Sequence, residues 1–143
     1  MKRVLAILLM ATAAILNSGC AVNRATATAD PSLKWDGVKS VHVVKAPEED
    51  GSIQKLIVEK FRSKGFTVTM DPEADPGADA RVTYKDRWMW DITMYLLELT
   101  VVVRDPKSDF PLATGNSLHT SLTRKSPQEM VDEVVNNILT AKK

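Results

Sequence analysis

The chain is short of the residues that usually carry chemistry. It has one cysteine, two histidines and six glycines in 143 residues. One cysteine cannot close an internal disulfide. His42 and His119 stand alone, without a His-x-x-x-His spacing, and a metal site normally needs three or four ligands. No Gly-x-Ser-x-Gly elbow is present. Gly65 and Gly115 are isolated, so no glycine-rich loop cradles a phosphate. The carboxylates Glu48, Glu49 and Asp50, and Asp71, Glu73 and Asp75, fall in loops expected to be solvated, where nothing tunes them for proton transfer. No catalytic residue, metal or cofactor is therefore expected. A hydrolase would need His42 or His119 brought beside a carboxylate or hydroxyl. Charge of one sign is also missing. The chain holds 19 basic and 18 acidic residues. Without Lys2 and Arg3 the balance is 17 to 18, a net of −1. This excludes the basic footprint of a nucleic-acid binder and a polybasic lipid patch. No apolar run reaches the roughly 20 residues needed to span a bilayer.

What is present begins at the N-terminus. Met1-Lys2-Arg3 precedes an uncharged run from Val4 to Leu16, followed by Asn17-Ser18-Gly19-Cys20. A basic start, a short apolar core and small residues at the end form a secretory signal. With Cys20 directly after Ser18-Gly19, the segment resembles the bacterial lipoprotein signals. Asn17 stands where that signal usually has leucine, and Leu16 lies one residue further back. The resemblance implies removal of residues 1–19 and acylation of Cys20. A plain secreted protein, cut near Ala13 or Gly19, is the alternative. By the same resemblance, Ala21 after the cysteine, where Asp would retain the protein at the inner membrane, implies the outer membrane. The domain would face the periplasm, held to the bilayer through Cys20.

Residues 20–35 read as the lipidated N-terminus and a flexible tether, small and polar up to Pro31. Extended, the tether would reach about 45 Å at ~3.3 Å per residue. An N-terminal strand is the alternative for this stretch. Residues 36–143 suit one domain. Strands are predicted over Val38–Val44, Phe66–Met70, Ala80–Trp90, Thr93–Arg104 and within Phe110–Leu122. Helical spacing of Ile53, Leu56, Ile57 and Phe61 predicts a helix over Ser52–Lys64, stopped by Gly65. Ser126-Pro127-Gln128-Glu129 reads as a capping box opening a second helix with an apolar stripe from Met130 to Leu139. The order β-α-β-β-β-β-α predicts an α+β fold: a mostly antiparallel sheet of about five strands, with two amphipathic helices on one face. Gly115 marks a bulge or a close approach.

The densest segment is Tyr84-Lys85-Asp86-Arg87-Trp88-Met89-Trp90-Asp91. In one reading its aromatic face packs beneath a helix and Asp91 makes the turn. In the other, Tyr84, Arg87, Trp88, Trp90 and Asp91 form a surface for a partner, since Trp, Tyr and Arg dominate binding hot spots. Arg87 and Asp91 share a parity opposite the tryptophans and could pair. Tyr84 with Trp88-Met89-Trp90-Asp91-Ile92-Thr93-Met94-Tyr95-Leu96 resembles the Tyr…Trp-x-Trp-Asp-Leu-x-x-Tyr-Leu stretch of a family of small proteobacterial lipoproteins of uncharacterised function. The likeness runs more weakly from Val38 to Leu139, with Arg124-Lys125-Ser126 before the last helix. It implies envelope localisation and a compact α+β domain, and no activity. The expectation is a non-enzymatic envelope protein that binds another, unknown envelope protein as an accessory or assembly factor. A small-ligand or glycan binder, stacking on Tyr84, Trp88 and Trp90, is the alternative.

Overall fold

The computed structural model describes residues 22–70, 75 and 77–141. The signal segment, Cys20, Ala21 and most of the acidic 71–77 loop lie outside them. The described chain forms a six-stranded sheet with two helices: β1 (Asn23–Ala29), β2 (Ser40–Val43), α1 (Ser52–Ser63), β3 (Thr67–Thr69), β4 (Ala80–Asp91), β5 (Thr93–Arg104), β6 (Pro111–His119) and α2 (Pro127–Thr140). Short 3-10 turns occupy Trp35–Gly37 and Ser121–Thr123. The strand order is β1-β6-β5-β4-β2-β3.

The α+β class holds, with both helices packed into one apolar core, but two expectations about the sheet need correcting. The sheet is mixed: β4–β5, β5–β6 and β6–β1 are antiparallel, whereas β2 pairs parallel with both β3 and β4. The β2–β3 pair is parallel because α1 carries the chain back across one face between them, and the β2–β4 pair because the chain crosses back once more between β3 and β4. There are also six strands, because Asn23–Ala29 is an edge strand and not a tether. Its register sets Ala25 against Ser117, Ala27 against Gly115 and Ala29 against Ala113, on the side where α2 lies. Ala25-Thr26-Ala27-Thr28-Ala29 is a two-residue alternation. Its apolar members are methyl groups, small enough to fit beneath a helix and too small to read as a core stripe.

Gly115 is a close approach and not a bulge. A Cβ there would stand 2.7 Å from Ile138 Cγ1 and 3.0 Å from Val134 Cγ1. Its absence lets α2 settle onto β6. The capping box of α2 forms as the sequence indicates, with Ser126 Oγ accepting from the Glu129 amide and Glu129 accepting from the Ser126 amide. At the other helix Gly65, at φ 92°, makes the left-handed stop after α1. Phe66 then turns back edge-on to Phe61, with ring centroids 5.6 Å apart.

The start of α1 uses an unexpected group. Gly51 occupies the cap position and has no side chain to offer. Glu49 supplies the carboxylate instead, accepting from the amides of Gly51 (2.8 Å) and Ile53 (2.9 Å) and from the hydroxyls of Ser52 (3.1 Å) and Tyr84 (2.7 Å). Glu49 is thus buried, against the expectation of a solvated loop carboxylate. Four donors replace the water it has lost.

Candidate functional site

The sheet has two unequal ends. Near the start of β4 the helix-facing residues Ala80 and Val82 are buried, as are Val101 and Val103 on β5. At the other end the β4–β5 hairpin runs past its neighbours. β2 pairs with β4 only as far as Val82, and β6 pairs with β5 only from Glu98 onward. Beyond those points Trp88 to Leu96 have only each other across the ladder. At ~3.3 Å per residue, the apex at Ile92 stands roughly 15 Å beyond the last β5–β6 pair.

A register shift shapes this tip. Arg87 opposes Glu98 while Trp88 opposes Leu96, so Leu97 is an extra residue on β5. The bulge reverses the parity of what precedes it. Leu96 joins the core face, and Tyr95 turns to the opposite face, away from the one that unbroken alternation with Leu99, Val101 and Val103 would give it. The turn is made at Ile92 and not at Asp91. Ile92 has φ 64° and is 87% exposed. A β-branched residue in the left-handed region is a strained choice where glycine or asparagine would sit easily.

The five candidate residues separate. Tyr84 is buried, with its hydroxyl donating to Glu49 and accepting from the Ala46 amide. Burial, then the bond to Glu49, pushes its phenol well above the ordinary value, so it stays a neutral donor. It ties the Glu49 cap of α1 to β4. Trp88 is 40% exposed, its indole nitrogen donating to Asp86 at 2.7 Å. Trp90 is 67% exposed. Packing of the two tryptophans beneath a helix is therefore overturned: the helices end short of the tip. Arg87 and Asp91 do not pair. Arg87 bonds Glu98 at 2.9 Å. Asp91 accepts from the Ser121 hydroxyl and bonds Arg124 at 3.2 Å. The Ser121 bond, then the Arg124 charge, lowers its pKa.

Sequence reasoning missed Met89, Ile92, Met94 and Leu122, all exposed. The signal for Met89, Ile92 and Met94 was apolar residues on both parities of a hairpin tip, where one face at least must stay uncovered; Leu122, in the 121–123 turn, gave none. It also missed Arg124, whose guanidinium lies 4.2 Å over the Tyr95 ring and donates to the Asp91 carbonyl and the Thr93 hydroxyl, both at 2.8 Å.

A cleft of about 620 Å³ opens beside Trp88, lined by Ala46, Pro47, Glu48, Glu49, Tyr84, Lys85 and Asp86 as well. Among the described residues, no group of three His, Cys, Asp or Glu side chains is placed to hold a metal ion, and no helix is long and apolar enough to cross a membrane.

The histidines do lie beside polar partners. His42 Nδ1 is 2.8 Å from the Thr69 hydroxyl. His119 Nε2 and Ser117 Oγ both reach Glu133 Oε2, each at 2.7 Å, and Lys125 binds the other oxygen. Burial pushes the Glu133 carboxyl up, but the bonds from Lys125, His119 and Ser117 prevail and hold it down at about 2. Ser117 and His119 bond the carboxylate and not each other, and both are fully buried. The cluster ties α2 to β6 and gives a substrate no approach.

No family model and no curated protein matches the sequence. The fold is shared with solved structures. A PelC dodecamer from Paraburkholderia phytofirmans superposes with a TM-score of 0.61 at 16% identity, over 85% of this chain and 100% of that one. A PDZ domain protein from Parabacteroides distasonis gives 0.53 at 10% identity, over 94% of this chain and 40% of that one. TolB from Acinetobacter baumannii gives 0.51 at 14% identity, over 83% and 31%. At such identities the likeness is one of fold.

Proposed function

We propose that this chain is a lipid-anchored, non-enzymatic protein of the bacterial cell envelope, held by acylated Cys20 to the outer membrane and facing the periplasm. There it binds another envelope protein as an accessory or assembly factor, in keeping with the small lipoproteins that its Tyr…Trp-x-Trp-Asp stretch resembles. The observation that carries this reading is the outer edge of β1. Val22 donates its amide to Thr120 Oγ1, and the Asp30 amide donates to the Leu112 carbonyl. Alternation along the strand then turns the amides of Arg24, Thr26 and Thr28 toward β6, and those of Ala25, Ala27 and Ala29 outward. That edge has no proline or lysine to guard it, so it offers a ready template for a partner strand. A protein of this fold, PelC, is known as a dodecamer, which supports a part in assembly.

The test is Ala25→Pro, which removes an outward amide and leaves the β6 ladder whole. Crosslinking in intact envelopes should trap a protein on β1 of the parent and lose it in the variant, with the unfolding midpoint little changed. Crosslinks that survive Ala25→Pro would defeat the reading.

A second reading is favoured by the cleft beside Trp88. A small ligand or glycan could stack on the half-exposed indole. It predicts saturable quenching of Trp88 emission by oligosaccharides, abolished in Trp88→Ala.

A further inference from the structure

The apolar side chains that the fold leaves uncovered are not scattered. Of the nine large hydrophobic residues exposed among the described residues, all but Met70 and Phe110 lie at one end of the sheet, on the β4–β5 tip, the 121–123 turn and Val22. Single exposed apolar residues need no explanation, but a contiguous patch does.

The start of the described chain lies at this same end. The Thr120 amide donates to the Val22 carbonyl, the Val22 amide donates to the Thr120 hydroxyl, and the Thr123 hydroxyl donates to the Val22 carbonyl at 3.0 Å. The next residues of that turn grip the hairpin, through Ser121 and Arg124 on Asp91 and Arg124 on Thr93. One short segment thus clamps Val22 to the hairpin. Cys20 is two residues before Val22, which is about 7 Å of chain at most. β1 and the hairpin strand β4 are three strand spacings apart, roughly 14 Å. A lipid on Cys20 therefore brings the bilayer to the end of the sheet where the apolar tip projects. Since Asn23–Ala29 is locked into the sheet, no long tether lets the domain turn away.

We infer that the β4–β5 tip is a second membrane contact, in which Trp90, Ile92 and Met94 enter the headgroup–acyl boundary of the leaflet that holds acylated Cys20. The inference rests on the Cys20 anchor for its orientation. Three features fit a lipid surface. Tryptophan is the side chain most at home at that depth. Isoleucine at the apex, held in a glycine-like conformation, is kept where neither folding nor the turn asks for it. The one acidic residue of the tip, Asp91, is matched by Arg124 and the Ser121 hydroxyl, so no bare carboxylate meets the headgroups. The occupant is lipid and not a protein, since the two ends of the sheet differ in what the anchor brings near them. The free edge of β1 runs from the foot of the tip toward the opposite end of the sheet and stays open to a partner while the tip is immersed.

The experiment uses the full mature protein on phosphatidylethanolamine–phosphatidylglycerol vesicles doped with acyl-brominated phosphatidylcholine. Trp35, at the opposite end of the sheet, is the internal control. The bromolipid should quench the parent, and the doubly substituted Trp88→Phe, Trp90→Phe protein should show no quenching of the remaining Trp35. An acylated protein that stays on the vesicles without quenching overturns the inference. Quenching of Trp35 overturns it too. Mass spectrometry of Cys20 separates the two claims: absence of acyl chains counts against the anchor. In that case Cys20→Ala protein is titrated with the same vesicles. Weak, saturable binding that falls about tenfold or more on replacing Trp90, Ile92 and Met94 with serine sustains the tip contact. No binding at any lipid concentration ends it. Protection of the tip by a crosslinked protein, in the absence of lipid, also ends it.

Discussion

The two halves of the β4–β5 hairpin use the same kinds of residue to opposite ends. At its base, Val82, Tyr84, Leu99, Val101 and Val103 are buried beneath two helices. At its tip, Trp90, Ile92 and Met94 face outward. One continuous pair of strands thus carries both the core and a surface left free for something outside the chain. Apolar area at the base contributes to folding. At the tip it contributes nothing until a partner or a bilayer covers it.

The largest expected effect is at the base. Leu99→Ala should cost about 2–5 kcal/mol, read from the urea unfolding midpoint, because it opens a cavity in the sealed core. Gly115→Ala should cost about 1–3 kcal/mol, since the new methyl meets Ile138 and Val134 and pushes α2 off β6. A cost near zero would mean that α2 packs more loosely than described.

Acid titration sharpens the comparison further. Glu133 lies within the covered half, its folded pKa held down at about 2 from an ordinary 4.5. A lowered folded pKa gives stability that is complete above about 4.5 and is lost as pH falls toward about 2. Glu133→Gln should remove this acid-side slope and, at neutral pH, cost about 1–3 kcal/mol by leaving Lys125 and buried His119 without their acceptor. An unchanged slope would remove the cluster from the account.

The smallest effect is expected at the apex. Ile92→Gly should leave stability unchanged or raise it by up to about 1 kcal/mol, because the left-handed backbone no longer carries a β-branched side chain. The midpoint of chemical unfolding checks it.

What the sequence made legible follows the size of its signals. Large apolar residues at regular spacing located both helices and strands β2 to β6, and Ser126-Pro127-Gln128-Glu129 foretold its capping box. Strand β1 was hidden because its inward residues are alanines, which bury little area each. The parallel pairing was hidden because it depends on where the connections after β2 and β3 return the chain, not on any residue pattern. Glu49 looked like one of three loop carboxylates; only the absence of a capping side chain at Gly51 hinted that another group must serve. At the candidate site, Trp88 and Trp90 were legible as a feature, but alternation could not tell a face under a helix from a face beyond its end. The extra residue at Leu97 also reverses the parity that plain alternation along β5 would give Tyr95.

The central claim is that the tip is surplus to the fold. Its most direct test is the unfolding free energy of the protein with Trp90, Ile92 and Met94 all replaced by serine. The account predicts a urea midpoint within about 0.5 kcal/mol of the parent, as for surface changes that touch no packed feature. A loss of about 3 kcal/mol or more would place these side chains in the core and contradict it.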